Sequence, residues 1–143
     1  MVDLITAFRF KVDFHLLGSV IPIHCSELSG LSVNVETETV KEGGQNQYIQ
    51  KLPNHPQYNN LVLKKAMDVD MALARWIIKA IADFDFSPVT ITVSMLNEKQ
   101  KPMLSWMIWG AYPVKWEASG LQADQSSLAI ETLEMAYQQF NII

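Results

Sequence analysis

The sequence predicts a mainly β domain carrying one helix. Apolar and polar residues alternate with period two over residues 8–17 and again over residues 31–40. That is the signature of strands with one wet side. One stretch, residues 71–82, instead repeats its apolar residues at helical spacing. Clusters rich in Gly, Pro, Asn and Gln separate the remaining apolar runs and read as turns or loops.

In chain order, Phe8, Phe10, Val12, Phe14 and Leu16 alternate with Arg9, Lys11, Asp13 and His15, and residues 18–22 end that strand. A second stretch starts near Ile23, and Ser29-Gly30 marks a turn or bulge. Over residues 31–40, Val33, Val35, Thr37 and Thr39 share one face. Ser32, Asn34, Glu36 and Glu38 share the other, a wet and acidic side. Residues 42–60 form a polar run with Gly43-Gly44, Pro53 and Pro56, and read as one long loop. Residues 61–66 are a short strand.

Asp70 is the expected N-cap of the helix. Leu73, Trp76, Ile77 and Ala80 form its buried stripe, with Ile81 beside them. Pro88 opens a strand over residues 89–96 with Val89, Ile91, Val93 and Met95 inward, and residues 97–102 make a hairpin turn. Residues 103–110 return as a strand and residues 112–116 are extended. Residues 127–140 stay open. Propensity favours a helix there, whereas a strand would need a bulge near Glu131-Thr132 to bring Leu128, Ile130, Leu133 and Met135 into phase.

The chain has 143 residues, of which 49% are hydrophobic and 18% charged, with net charge -4. It suits a single domain spanning residues 1–143. That composition excludes intrinsic disorder, and a pI near 5.3 excludes a strongly basic nucleic-acid binder. Few charges beside four Trp and seven Met point to apolar surface that meets a partner. The start lacks a basic n-region and no apolar run approaches 18 residues. No secretory leader or membrane span is therefore expected, and folding is expected in a cytoplasm.

Motifs for chemistry are scarce. P-loop, Gly-x-Ser-x-Gly and Gly-x-Gly-x-x-Gly patterns are absent. His24 and Cys25 are strand neighbours and point to opposite faces, so one ion cannot easily take both, and His15 and His55 lack ligand spacing to them. Cys25 as a nucleophile needs a base and an orienting group, and the remaining histidines, His15 and His55, sit in a strand and a polar loop. The acidic pairs Asp68/Asp70 and Asp83/Asp85 flank the helix ends and read as caps and turns. Trp106, Trp109 and Trp116 read as core or subunit interface before they read as a stacking platform.

The order of motifs resembles the tail tube protein family of contractile-tailed bacteriophages, which also supplies inner tubes of phage-tail-like contractile injection systems. Residues 8–12 (FRFKV), 29–33 (SGLSV), 42–44 (EGG) and 51–53 (KLP) come first, then 61–65 (LVLKK), 73–77 (LARWI), 111–116 (AYPVKW) and 130–134 (IETLE). Lys65-Ala66 departs from the basic residue followed by glycine common in that family. The resemblance implies a small antiparallel β-barrel or two-sheet sandwich with one packed α-helix, and makes residues 127–140 a strand. It implies a structural protein, not an enzyme, with no cofactor or metal. Hexameric rings would stack into a tube with sheath, baseplate or initiator, and tail-terminator partners.

On this reading DNA or protein cargo passes through the lumen without specific binding. The particle assembles in a bacterial cytoplasm and becomes a virion tail or extracellular injection particle. Ser32, Asn34, Glu36 and Glu38 are the expected lumen face. Glu42, Gly43, Gly44, Gln45, Tyr48, Leu52 and Pro53 form the expected inter-subunit loop, and Leu73, Trp76 and Ile77 the core helix stripe. Six copies of a chain carrying -4 give -24 per ring, which repels anionic cargo from the wall. The alternatives are a tube-initiator ring at the baseplate, a monomeric ligand-binding β-barrel, and a small hydrolase built on Cys25 or the acidic pairs.

Overall fold

The computed structural model describes residues 9–16, 18–40, 50–67, 70–120 and 129–143. The strands are β1 (Arg9–Leu16), β2 (Ser19–Cys25), β3 (Glu27–Ser29), β4 (Val33–Val40), β5 (Gln50–Tyr58) and β6 (Leu61–Ala66). Helix α1 (Met71–Ala82) follows, then β7 (Val89–Leu96), β8 (Pro102–Ser119), β9 (Ile130–Ala136) and β10 (Gln139–Ile142). Every strand pairing is antiparallel. The main sheet runs β2-β1-β7-β8-β9-β6-β3, with β10 also on β8, and β4-β5 form a separate ribbon.

Two long stretches of chain fold this sheet around one core. β8 pairs with β7 through residues 102–111 and with β9 through residues 112–119. Gly110 lies where it changes partner, at φ 67, a conformation glycine adopts freely. A Cβ there would also lie 2.8 Å from the Gln138 side chain. β2 and β3 make the second crossing. They are consecutive pieces of chain broken at Ser26, whose N–H donates to Lys64 O at 2.9 Å. The sheet therefore wraps the core without closing into a barrel ladder, since its two ends, β2 and β3, are not paired.

Between the layers lie Val12, Phe14, Leu61, Leu63, Ile91, Val93, Ile108 and Met135, each 0% exposed. α1 packs on this core as its spacing requires: Leu73, Trp76, Ile77 and Ala80 are buried. Asp70 caps it, accepting from the N–H groups of Ala72 at 3.1 Å and Leu73 at 3.2 Å. Trp76 meets Phe14 edge-to-face at 5.8 Å and donates its Nε1–H to Ser87 O at 2.9 Å. A buried indole thus keeps a partner for its polar atom.

Several expectations change, the first being that residues 19–22, read as the end of the first strand, already belong to β2 and pair with β1. Residues 50–58, read as loop, form β5, and so Leu52 and Pro53 lie in a strand. Pro56 and Pro53 flank a register shift in that two-stranded ribbon, where a missing N–H is tolerated. Residues 103–116 are one strand, not two. Met95 is only half-buried, and Leu96, 3% exposed, is the buried residue at the end of β7.

The C-terminal segment is a strand, but no bulge interrupts β9. Glu131 takes the inward position with Leu133 and Met135, and Ile130 is 45% exposed. Lys65, opposite on β6, holds the buried carboxylate in an ion pair at 2.8 Å. Trp116 Nε1–H donates to the other Glu131 oxygen at 2.7 Å. A buried carboxylate is tolerated only when paired in this way.

Candidate assembly surfaces

The β4-β5 ribbon stands clear of the core, and almost every residue in it is exposed. Its ladder sorts two faces. Val33 and Val35 lie opposite Tyr58 and Pro56, and Thr37 and Thr39 opposite Pro53 and Lys51. This is the more apolar face. Asn34 lies opposite Gln57, and Glu38 opposite Leu52; Asn54 Nδ2–H reaches Glu38 Oε1 at 3.4 Å. Asn34, Glu36 and Glu38 of the expected lumen face and the described part of the expected inter-subunit loop, Leu52 and Pro53, therefore share one ribbon, with Ser32 just before it. Glu42, Gly43, Gly44, Gln45 and Tyr48 lie outside the described residues, as do Asp68 and residues 127–128.

The ribbon is fixed at its base. The Tyr58 ring contacts Tyr137 at 5.8 Å and Phe140 at 5.4 Å. Tyr137 donates its hydroxyl proton to Gly30 O at 3.0 Å. Burial, with Tyr58 beside it, holds that hydroxyl above the ordinary tyrosine value, so it stays a donor. Asn59 binds Ser32 twice, backbone N to O at 3.3 Å and Nδ2 to Oγ at 2.6 Å. Gly30 sits at φ 94, and a Cβ there would collide with the Asn60 backbone carbonyl. Gly30→Ala is therefore expected to cost about 1–3 kcal/mol from the backbone conformation alone, and more from the displaced strand start. Urea unfolding of the subunit tests this; a loss under about 0.5 kcal/mol would contradict the packing at this turn.

A second surface is the outer face of β2-β1-β7-β8. Register aligns His24, Lys11, Ser94 and Ser105 in one row and Pro22, Asp13, Thr92 and Met107 in the next. Ser94 Oγ and Ser105 Oγ are 3.1 Å apart, and His15 Nε2 lies 3.2 Å from Thr92 Oγ1. Lys11, Asp13, His24, Thr92, Ser94 and Ser105 make this face largely polar, with Pro22 and Met107 among them. A third surface is a groove of about 510 Å³ between α1 and β8, bounded by Ile77, Ile78, Ile81, Val114, Lys115 and Trp116.

The groups that invited catalytic readings are placed elsewhere. Cys25 is 4% exposed, and burial pushes its thiol up to about 11, so at neutral pH it is not the thiolate a nucleophile must be. Asp70 is spent on the helix cap, and Asp85 faces Lys79 at 3.8 Å on the surface. Among the described residues no ring contact joins Trp106, Trp109 and Trp116 into a platform. No helix among the described residues is long and apolar enough to cross a membrane. Among the described residues these features are extended surfaces, and none of them groups three or more His, Cys, Asp or Glu side chains as a metal site would.

Comparison with known proteins agrees with that arrangement. No curated protein sequence matches the chain. Among solved structures, a chain in the baseplate of the anti-feeding prophage (AFP), 6-fold symmetrised, has TM-score 0.81 and 26% identity, with 100% of this chain and 97% of that chain covered. A chain in the AFP tube-terminating cap has TM-score 0.73 and 25% identity, covering 94% and 87%. A chain in the extended sheath-tube complex of the extracellular contractile injection system PVC has TM-score 0.75 and 22% identity, covering 94% and 88%. The family described as T4-like virus tail tube protein gp19 matches residues 6–141. The chain thus belongs to the tail tube protein family, a family of structural tube proteins and not of enzymes.

Proposed function

We propose that six copies of this chain form a ring and that rings stack into the inner tube of a contractile phage tail or phage-tail-like injection system. The family match over residues 6–141 carries this reading. The ribbon supports it, because two exposed strands are marginal alone and gain stability from a neighbour. The partners are sheath, baseplate and terminator proteins, and the lumen passes DNA or protein cargo without holding it. Assembly takes place in a bacterial cytoplasm, and the chain ends in a virion tail or extracellular particle. A ring at the baseplate that initiates the tube is the second reading, favoured by the likeness to the AFP baseplate chain. Copy number in purified particles separates the two: many rings for a bulk subunit, one or two for an initiator.

The lumen face is proposed to be the acidic side of the ribbon, with Ser32, Asn34, Glu36 and Glu38. Glu36 and Glu38 are exposed, and the one hydrogen bond to Glu38 among the described residues is a long surface contact from Asn54 at 3.4 Å, so Glu36→Lys with Glu38→Lys is expected to leave the subunit folded. In assembled tubes the pair should retard anionic cargo at low salt, an effect that fades as ionic strength rises. The outer face of β2-β1-β7-β8 is the competing wall, since four paired strands present a broader surface than the two-stranded ribbon. Lys11→Glu with His24→Glu in tubes tests that face in the same assay. Cargo release unchanged in the ribbon variant but altered in the sheet variant would move the lumen to the sheet.

A further inference from the structure

Two of the exposed apolar features on the described surface have opposite shapes. The first is a ridge on the ribbon, where Val33 and Val35 are each 48% exposed on the face they share with Pro53 and Pro56. The second is the groove between α1 and β8. Its walls include Ile78, 59% exposed, Val114, 40%, and Trp116, 44%. The two features have no residue in common. The ring contacts of the ribbon run to Tyr137 and Phe140, whereas α1 and residues 114–116 bound the groove.

Charge pairs them further. Lys51 lies on the valine face, opposite Thr39. The groove reaches Ala82, and the next residue, Asp83, is exposed; Asp85 already faces Lys79 at 3.8 Å, and the groove's own cation, Lys115, lies 3.8 Å from Glu117. A ridge and a complementary groove on separate parts of one chain are what a head-to-tail contact between identical subunits requires.

We infer that the valine face of the β4-β5 ribbon of one subunit seats in the α1-β8 groove of a second copy, with Lys51 over Asp83. The inference rests on the tube reading and names the receptor surface for the ribbon. Size limits how the contact works. Eight residues of β4 span about 26 Å, so one ribbon face covers a few hundred Å², below the roughly 800 Å² per partner of a stable pair. The contact therefore holds only as one of several made by each subunit in a lattice, and free protein should not dimerise through it.

A photo-crosslinking residue at Ile78 tests the seating directly. Tubes or rings assembled with the partner proteins are irradiated and the adducts sequenced. The expected adduct joins Ile78 to residues 33–40 or 50–58 of a second copy. Val35→Asp should cut its yield about tenfold or more, because an unpaired carboxylate would enter an apolar groove. Adducts to another part of the chain or to the sheath overturn the seating and leave the tube reading intact, as does the absence of any adduct in assembled tubes. If substitution at Ile78 blocks assembly, the crosslinker is placed at Val35, and it should capture α1 or residues 114–116 of a second copy; capture elsewhere overturns the inference. Failure of the unmodified chain to form rings or tubes overturns the tube reading, and the seating with it.

Discussion

Trp76→Ala is expected to destabilise the subunit by about 3–5 kcal/mol, the usual loss when a large buried aromatic is cut to a methyl. Trp76 is 8% exposed and is the largest side chain in the buried stripe of α1. Its removal deletes the edge contact with Phe14 and leaves Ser87 O without its donor. Leu73 and Ile77 sit on either side of it along the same face, so the stripe cannot easily collapse into the gap. Urea denaturation of ring-free subunit measures the loss, since assembly would otherwise add to the apparent stability. A loss under about 1 kcal/mol would mean that α1 is held mainly by neighbours in the tube.

Glu131→Leu is expected to cost about 3 kcal/mol, in the range for breaking a buried ion pair from one side. Lys65 is 4% exposed and would keep its charge with the 2.8 Å carboxylate gone. Trp116 would also lose its acceptor, though its half-exposed ring lets water replace it. The double variant Lys65→Met with Glu131→Leu should recover most of the loss, because an apolar pair of similar volume needs no compensation in a buried site. The same unfolding assay reads both variants. A double variant no more stable than Glu131→Leu alone would show that the ion pair contributes more than its own desolvation.

The pattern of the chain was most legible where one side of an element faces the core. Residues 9–16 and 61–66 alternate because every second side chain is buried, and α1 begins and ends where its cap and apolar stripe place it. β4 alternates in sequence although neither of its faces is buried in the subunit; its two-sided character reflects surfaces turned outward. β5 is illegible in the sequence for the related reason that an exposed ribbon needs no apolar alternation, and Pro53 and Pro56 read locally as loop. The β9 register was misplaced at Glu131 because its partner Lys65 lies on another strand, a non-local compensation that no window of sequence contains. Gly110 and Pro113 hid the continuity of β8 in the same way, by looking like ends where the strand only changes partner. The assembly surfaces were less legible than the fold, since they depend on neighbours outside the chain. Only the ordered motifs pointed to them, and the ridge and groove became visible once the ribbon and helix were placed.

The central claim is that this chain is a repeating subunit of a tube. Electron microscopy of particles purified after co-expression with the cognate sheath and baseplate proteins tests it most directly, with the chain identified in them by mass spectrometry. The account predicts six-fold rings of this chain stacked around a continuous lumen inside the sheath. A chain that stays monomeric at millimolar concentration and is missing from purified particles would contradict it.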